Sequence, residues 1–192
     1  MRHLLLDVMS TLIYDPFFVE VPAFFQCSLQ ELIRDKDAHA WLDFEKNQCT
    51  EEEFFSRFFG DGRHIDGHGM KDCMRRNYRF LDGIEPLLQE LKDRQIPMYT
   101  LSNYPHWYTM IEEQCQLSRY VEWRFVSCHL GVRKPDPQAY LLAVEDLQVQ
   151  PEDCVFVDDR KSNCDAAAKL GIAAIHFQNA QQLRRELFAL KW

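Results

Sequence analysis

Four short stretches of this chain carry residue types that phosphoryl-transfer chemistry requires. The first ends in Asp7, which follows the apolar run Arg2-His-Leu-Leu-Leu6. The second is Ser102-Asn103, after Pro97-Met-Tyr-Thr-Leu101. The third is Lys134, between Gly131-Val-Arg133 and Pro135-Asp-Pro137. The fourth is the pair Asp158-Asp159, after Cys154-Val-Phe-Val157. Adjacent like charges cost energy unless a cation or hydrogen bonds offset them. The pair therefore reads as oxygen ligands for a hard cation such as Mg²⁺. A separate carboxylate can serve as a nucleophile that splits a transfer into two steps. A serine hydroxyl and an asparagine amide donate to phosphoryl oxygens, and a lysine aimed by a proline-rigid turn adds fixed positive charge. Nucleophile, metal and charge clamps are the parts such a site needs.

These residues work together only if the fold brings them to one place. Short apolar runs bounded by turn signals read as buried strands, and ligands of open α/β sheets gather at the carboxyl ends of the strands. Strands are expected up to Asp7 and over 97–102, 123–128, 154–159 and 173–177. Helices are expected over 84–94, 104–114, 136–147, 162–170 and 180–190. This alternation predicts right-handed crossovers and a parallel, Rossmann-like α/β sheet. After a turn at Pro16, residues 17–79 read as helices without a convincing strand. Phe24, Phe25, Leu29, Leu32 and Ile33 fall at helical spacing, and Thr50-Glu-Glu-Glu53 is a capping box. A further helix is expected from Gly67 to Arg79. The chain thus divides into a core of 1–16 and 80–192 and a small helical insertion at 17–79.

The sequence has 192 residues, 46 % of them hydrophobic, which suits one α/β domain with a modest insertion. Its formal net charge of −8 argues against a nucleic-acid-binding face. Apolar runs fall short of the roughly 18 residues of a membrane span. The core strand begins at residue 2, so no leader is expected. Seven scattered cysteines without a CxxC pair read as reduced thiols, and the expected location is cytoplasmic.

The motifs Asp7-Val-Met9-Ser-Thr11-Leu12, Leu101-Ser102-Asn103, Arg133-Lys134-Pro135-Asp-Pro137 and Val157-Asp158-Asp159-Arg-Lys-Ser-Asn163 resemble, in order, the four motifs of the haloacid dehalogenase (HAD) superfamily. The resemblance runs from residue 1 to about 177. It implies a HAD-like core, a helical cap formed by the insertion, an aspartyl-phosphate intermediate and a Mg²⁺ ion. It also implies that Asp7 is the nucleophile and a metal ligand. The Met9 carbonyl and Asp159 would complete the protein's metal ligands, with Asp158 near the metal and Lys134. Ser102 and Lys134 would hold the phosphoryl group.

One position departs from the pattern. Phosphatases of this superfamily usually read Asp-x-Asp, and the second Asp protonates the leaving group. Here that position is Met9, which cannot donate a proton, and a side-chain general acid is worth about 10²–10⁴-fold. Three readings follow: a metal-independent 2-haloacid dehalogenase, a non-catalytic pseudo-phosphatase that binds a phosphorylated ligand, and a phosphatase subgroup that tolerates Met. Further stretches support the third. Asp7-Val-Met9-x-Thr11, Asp15-Pro-Phe17, Val21-Pro-Ala-Phe-Phe25, Phe44-Glu-Lys46, Leu81-Asp-Gly83 and Asn103-Tyr-Pro105-x-Trp107-Tyr108 resemble the plant flavin mononucleotide (FMN) hydrolases. The expected partner is then a small phosphate ester, FMN, hydrolysed to riboflavin and phosphate. The plant enzymes carry plastid transit peptides, of which no sign is read here.

Tyr14, Phe17 and Phe18 border the expected cap hinge and are candidates for contact with substrate. So are Asn103 and His106, the latter also a possible proton donor in place of Met9, and Tyr104 and Trp107 could line the same crevice. Arg133 could touch phosphate, and Asn163 is expected to order the Asp159 loop and cap the next helix. The cap phenylalanines read mostly as core. His64-x-Asp66-x-His68 reads as a solvated loop, not a metal site.

Overall fold

The computed structural model describes residues 2–190. The chain runs β1 (His3–Leu6), α1 (Glu20–Phe24), α2 (Leu29–Asp35), α3 (Ala40–Phe44), α4 (Glu51–Arg57), α5 (Gly67–Asn77) and α6 (Ile84–Asp93). It continues with β2 (Met98–Ser102), α7 (Tyr108–Cys115), β3 (Glu122–Val126), α8 (Ser127–Leu130) and α9 (Pro137–Leu147). It closes with β4 (Cys154–Asp158), α10 (Lys161–Lys169), β5 (Ala173–His176) and α11 (Ala180–Ala189). The strands form one parallel sheet in the order β3-β2-β1-β4-β5. β1 is central, with Leu4 opposite both Met98 and Val155.

Side chains alternate across a strand, and β1 splits its leucines accordingly. Leu4 and Leu6 join the core that holds Ile84, Leu88, Ile111 and Leu187. Leu5 joins a second core with Tyr140, Ala143, Phe156 and Ala167. Helices α6, α7 and α11 thus cover one face and α9 and α10 the other, which is why the strand runs are apolar without alternation. The chain builds β2 and β3 on one side of β1 and then crosses to β4 and β5. β1 and β4 flank this reversal, where an open sheet leaves a crevice. Among the described residues, no helix is long and apolar enough to cross a membrane.

The segment between β1 and β2 is helical, as expected, and its core is aromatic. Phe44 and Phe54 stack at 4.7 Å, and Trp41 and Trp107 pack edge-on against Phe44. The Thr50 capping box is formed, with Thr50 accepting from Glu53 N–H and the Glu53 carboxylate accepting from Thr50 N–H. The expected continuous helical face around Phe24–Ile33 is broken. Gln26 takes a positive φ of 53°, and a second capping box at Ser28 and Glu31 starts α2 afresh. β3 ends before Cys128, because Ser127 turns inward: its hydroxyl donates to the Glu45 carbonyl and accepts from Tyr104 N–H. Helix α7 starts at Tyr108, past Pro105, instead of at residue 104.

Candidate active site

β1, β2 and β4 deliver their last residues to the same end of the sheet. Asp7 follows β1 and is fixed by its own N–H, which donates to the Val157 carbonyl of β4 at 2.9 Å. The Thr11 hydroxyl donates to one Asp7 oxygen at 2.8 Å. The Lys134 ammonium, 1 % exposed, donates to the other Asp7 oxygen and to Asp158, both at 2.7 Å. Lys134 is itself clamped, since its N–H and carbonyl exchange hydrogen bonds of 2.8 Å with the Asn103 amide. Asp158 also accepts from the Arg160 N–H and the Asn163 amide. Asn163 therefore anchors Asp158 from within the first turn of α10. The expected helix cap and support for Asp159 are not its role, and Asp159 is held by its N–H to the Thr11 hydroxyl.

Carboxylate oxygens of Asp7, Asp158 and Asp159 come within 4.8 Å of one another. One ammonium faces three carboxylates, so the cluster is short of positive charge. Burial pushes Asp7 up to about 7, against the opposing pull of Lys134. Burial, and then Asp158, also raise Asp159. Lys134 is raised: burial acts to lower it, but the two carboxylates outweigh that. An all-oxygen donor set with surplus negative charge fits a hard divalent cation such as Mg²⁺. Asp7, Asp158 and Asp159 supply those oxygens, and Met9 lines the same cavity as Asp7 and Asp159.

Asp7, Met9, Asn103, Lys134 and Asp159 line a cavity of about 360 Å³. Phe17, Phe18, Trp41, Phe54 and Phe58 of the helical segment line the same cavity. Six further charged residues lie in the wall as well: Asp15, Lys36, Asp37, Glu45, Arg133 and Arg160. Glu45 and Arg133 form an ion pair that ties the helical segment to the core. Burial raises the Asp15 carboxyl to about 6. The turn reading at Pro16 gave no sign of this, although Asp15 also caps that turn by accepting from Phe17 N–H.

The other expected residues divide. Phe17 and Asn103 line the cavity, while Ser102 and Asp158 are buried behind it. Tyr14 does not line it: its hydroxyl donates to Glu20 at 2.9 Å and its ring lies under the Arg79 guanidinium. His106 does not line it either. It lies in a separate depression against Asn47, so the expectation of a proton donor there fails on geometry. Trp107 is buried among the aromatics of the helical segment, its indole N–H donating to Glu51, while Tyr104 does reach the cavity. His64, Asp66 and His68 do not converge. Asp66 caps α5 and His68 packs on Phe55.

A profile of the haloacid dehalogenase-like hydrolases matches residues 35–171. Chloroplastic flavin mononucleotide hydrolase 1 of Arabidopsis thaliana is 45 % identical over 184 residues, covering 96 % of this chain and 75 % of the plant protein. A magnesium complex of a HAD family enzyme from Bacteroides thetaiotaomicron superposes with a TM-score of 0.78 at 22 % identity, covering 99 % of each chain. The same enzyme with magnesium and inorganic phosphate gives 0.76 at 21 %, covering 93 % and 95 %. At these identities the two structures establish the shared fold. With the four motifs converging at one end of such a sheet, the chain belongs to the haloacid dehalogenase-like hydrolase family.

Proposed function

We propose that this protein is a Mg²⁺-dependent phosphomonoester hydrolase acting on FMN to give riboflavin and phosphate. The observation that carries the reading is the cavity, whose lining combines Asp7 and Asp159 of the carboxylate cluster with the aromatic rings of Phe17, Phe18, Trp41, Phe54 and Phe58. That lining suits a phosphate joined to a flat apolar ring. The identity to the Arabidopsis FMN hydrolase supports the same substrate. Residues 17–79 act as a cap that selects the substrate, on the core of 1–16 and 80–192.

In this reading an Asp7 oxygen attacks phosphorus, and the bond from phosphorus to the ribityl oxygen breaks. Water then cleaves the aspartyl-phosphate and regenerates Asp7. Lys134 opposes the burial that favours the protonated form of Asp7 and offsets charge on the phosphoryl group, with Ser102 and Asn103 beside it. The bound Mg²⁺ neutralises phosphoryl charge and orients it; Asp7, Asp159 and the Met9 carbonyl would hold it, with Asp158 behind. The departing ribityl oxygen needs a proton that Met9 cannot give. Asp15, in the same cavity wall and raised toward neutrality, takes that role.

A metal-free dehalogenase has no use for three convergent carboxylates, which argues against that alternative. The proposed compartment is the cytoplasm, on the seven free cysteines. The Arabidopsis relative is chloroplastic, and imaging of the tagged full-length protein distinguishes the two. The function itself is tested by phosphate release from FMN with Mg²⁺ and with EDTA. Turnover that EDTA abolishes and Mg²⁺ restores is expected. Halide release in EDTA, or FMN binding without turnover, would overturn the reading.

A further inference from the structure

β2 and β3 are neighbours, so the loop after β2 and the short helix after β3 meet above the sheet. His106 sits on the first, and Cys128 and His129 on the second. One ligand atom from each lies within 4.8 Å of those of the other two. The two imidazoles face each other at 5.3 Å with planes 74° apart. We propose that His106, Cys128 and His129 form a second metal site, separate from the carboxylate cluster, that takes a borderline-soft ion, Zn²⁺.

The donor chemistry points to that ion. Two imidazoles and a sulfur are poor ligands for Mg²⁺ and good ones for Zn²⁺. Zn²⁺ bonds of about 2.0–2.1 Å to nitrogen and 2.3 Å to sulfur put tetrahedral ligands about 3.3–3.6 Å apart. Small shifts of the two exposed histidine side chains close the remaining gap, and solvent can take the fourth position. The rings are already oriented, as metal-binding histidines are by outer hydrogen bonds. His106 Nε2 faces the Asn47 side-chain oxygen at 3.3 Å, and His129 Nε2 faces the Tyr108 hydroxyl at 3.1 Å. With Nε2 held in each ring, Nδ1 is the nitrogen left for an ion. Cys128 is a buried free thiol, and the ion displaces its proton to solvent.

The position gives the site a consequence. His106 is three residues from Asn103, which clamps Lys134, and it touches Asn47 in the cap. An ion here would tie the loop after β2 to α8 while His106 holds the cap.

The test is Co²⁺ titration of the EDTA-stripped, dialysed protein in excess Mg²⁺, which fills the oxygen site. One equivalent should give a thiolate-to-cobalt charge-transfer band in the near ultraviolet, and Zn²⁺ should abolish it. Cys128→Ser should lose the band. Because that residue is buried, His129→Gln and His106→Asn serve as surface variants. Each should weaken the ion at least about tenfold with an unchanged circular dichroism spectrum, while Asp159→Ala should retain the band. No band in the wild type, or a band that survives Cys128→Ser or both histidine variants, would overturn the proposal.

Discussion

Asp7 and Asp15 have the same side chain, and burial disturbs both, with different consequences. Asp7 has Lys134 and Thr11 on its oxygens, and a cation would complete its charge balance. Asp7→Asn keeps the shape, but it has one acceptor oxygen where Asp7 accepts from both Lys134 and Thr11, and it is a far weaker nucleophile. Turnover of FMN should fall by about 10³-fold or more, as when a covalent nucleophile is removed. Steady-state kinetics with the melting temperature measured alongside checks this, and retention of several per cent activity in a folded, undeamidated variant contradicts it. Asp15 has no ammonium partner like Lys134, and burial lifts it from 3.8 to about 6. A carboxyl raised in the folded state binds protons more tightly than in the unfolded chain. Its contribution to stability is full below the unfolded pKa and is lost as pH rises through about 6. Asp15→Asn preserves the cap to Phe17 and removes the penalty. Because Asp15 is only half-buried, the gain at pH 7 should be about 1–2 kcal/mol, vanishing near pH 4. Denaturant melts at the two pH values read this directly. The same variant should lower kcat for FMN by about tenfold or more while sparing p-nitrophenyl phosphate, whose leaving group departs unaided. Equal losses on both esters would remove the proton-donor role.

Between elements, the decisive contact is the Glu45–Arg133 pair, which joins the end of α3 to the loop before α9. Glu45 is 2 % exposed and Arg133 27 %, so the carboxylate is the costly partner to leave alone. Burial raises Glu45 even against Arg133. Arg133→Ala should cost about 2–3 kcal/mol at neutral pH, below the range for fully buried pairs because Arg133 keeps some solvent. Glu45→Gln should cost less, since it leaves the charge on the more exposed side. Adding Glu45→Gln to Arg133→Ala should recover stability, giving a coupling of about 1 kcal/mol or more in a double-mutant cycle. Additive losses would mean that the pair does not couple cap to core. No local pattern forecasts this contact. Phe44-Glu-Lys46 stands out in the sequence only through its resemblance to the plant enzymes, and only the packing of the helical segment over the core turns Glu45 inward.

At the scale of the molecule, the legible parts of the chain were those set by local rules. Strand positions follow from short apolar runs, and a parallel sheet collects their carboxyl ends. Asp7, Ser102 and Asp158 could therefore be placed together from sequence, with Lys134 aimed by its prolines. Tyr14 and His106 went elsewhere because their directions depend on distant partners: Arg79 and Glu20 for one, Asn47 and His129 for the other. Asp15, Glu45 and Trp41 enter the cavity wall for the same nonlocal reason, which alternation and spacing do not encode. In the proposed reading, selection of the substrate by residues 17–79 rests on Phe17 and Phe18, which follow the Asp7 loop. Their rings pack edge-on at 5.5 Å, and Phe18 is 45 % exposed, unusual for a large apolar side chain. A flavin ring entering the cavity would cover that surface. An aromatic contact adds about 0.5–1.5 kcal/mol beyond area burial, which is about 2–13-fold in affinity. Phe17→Ala and Phe18→Ala should thus raise KM for FMN several-fold and leave kcat nearly unchanged. KM for a small ester without a ring, such as glycerol phosphate, should hold within about twofold, because it presents no ring for these side chains to stack on. Phe18 gives the cleaner measurement, since its exposure makes collapse of the cap a poor explanation of any change. An equal rise in KM for both esters would place these rings in general closure of the site. A rise for FMN alone would make them the reader of its ring.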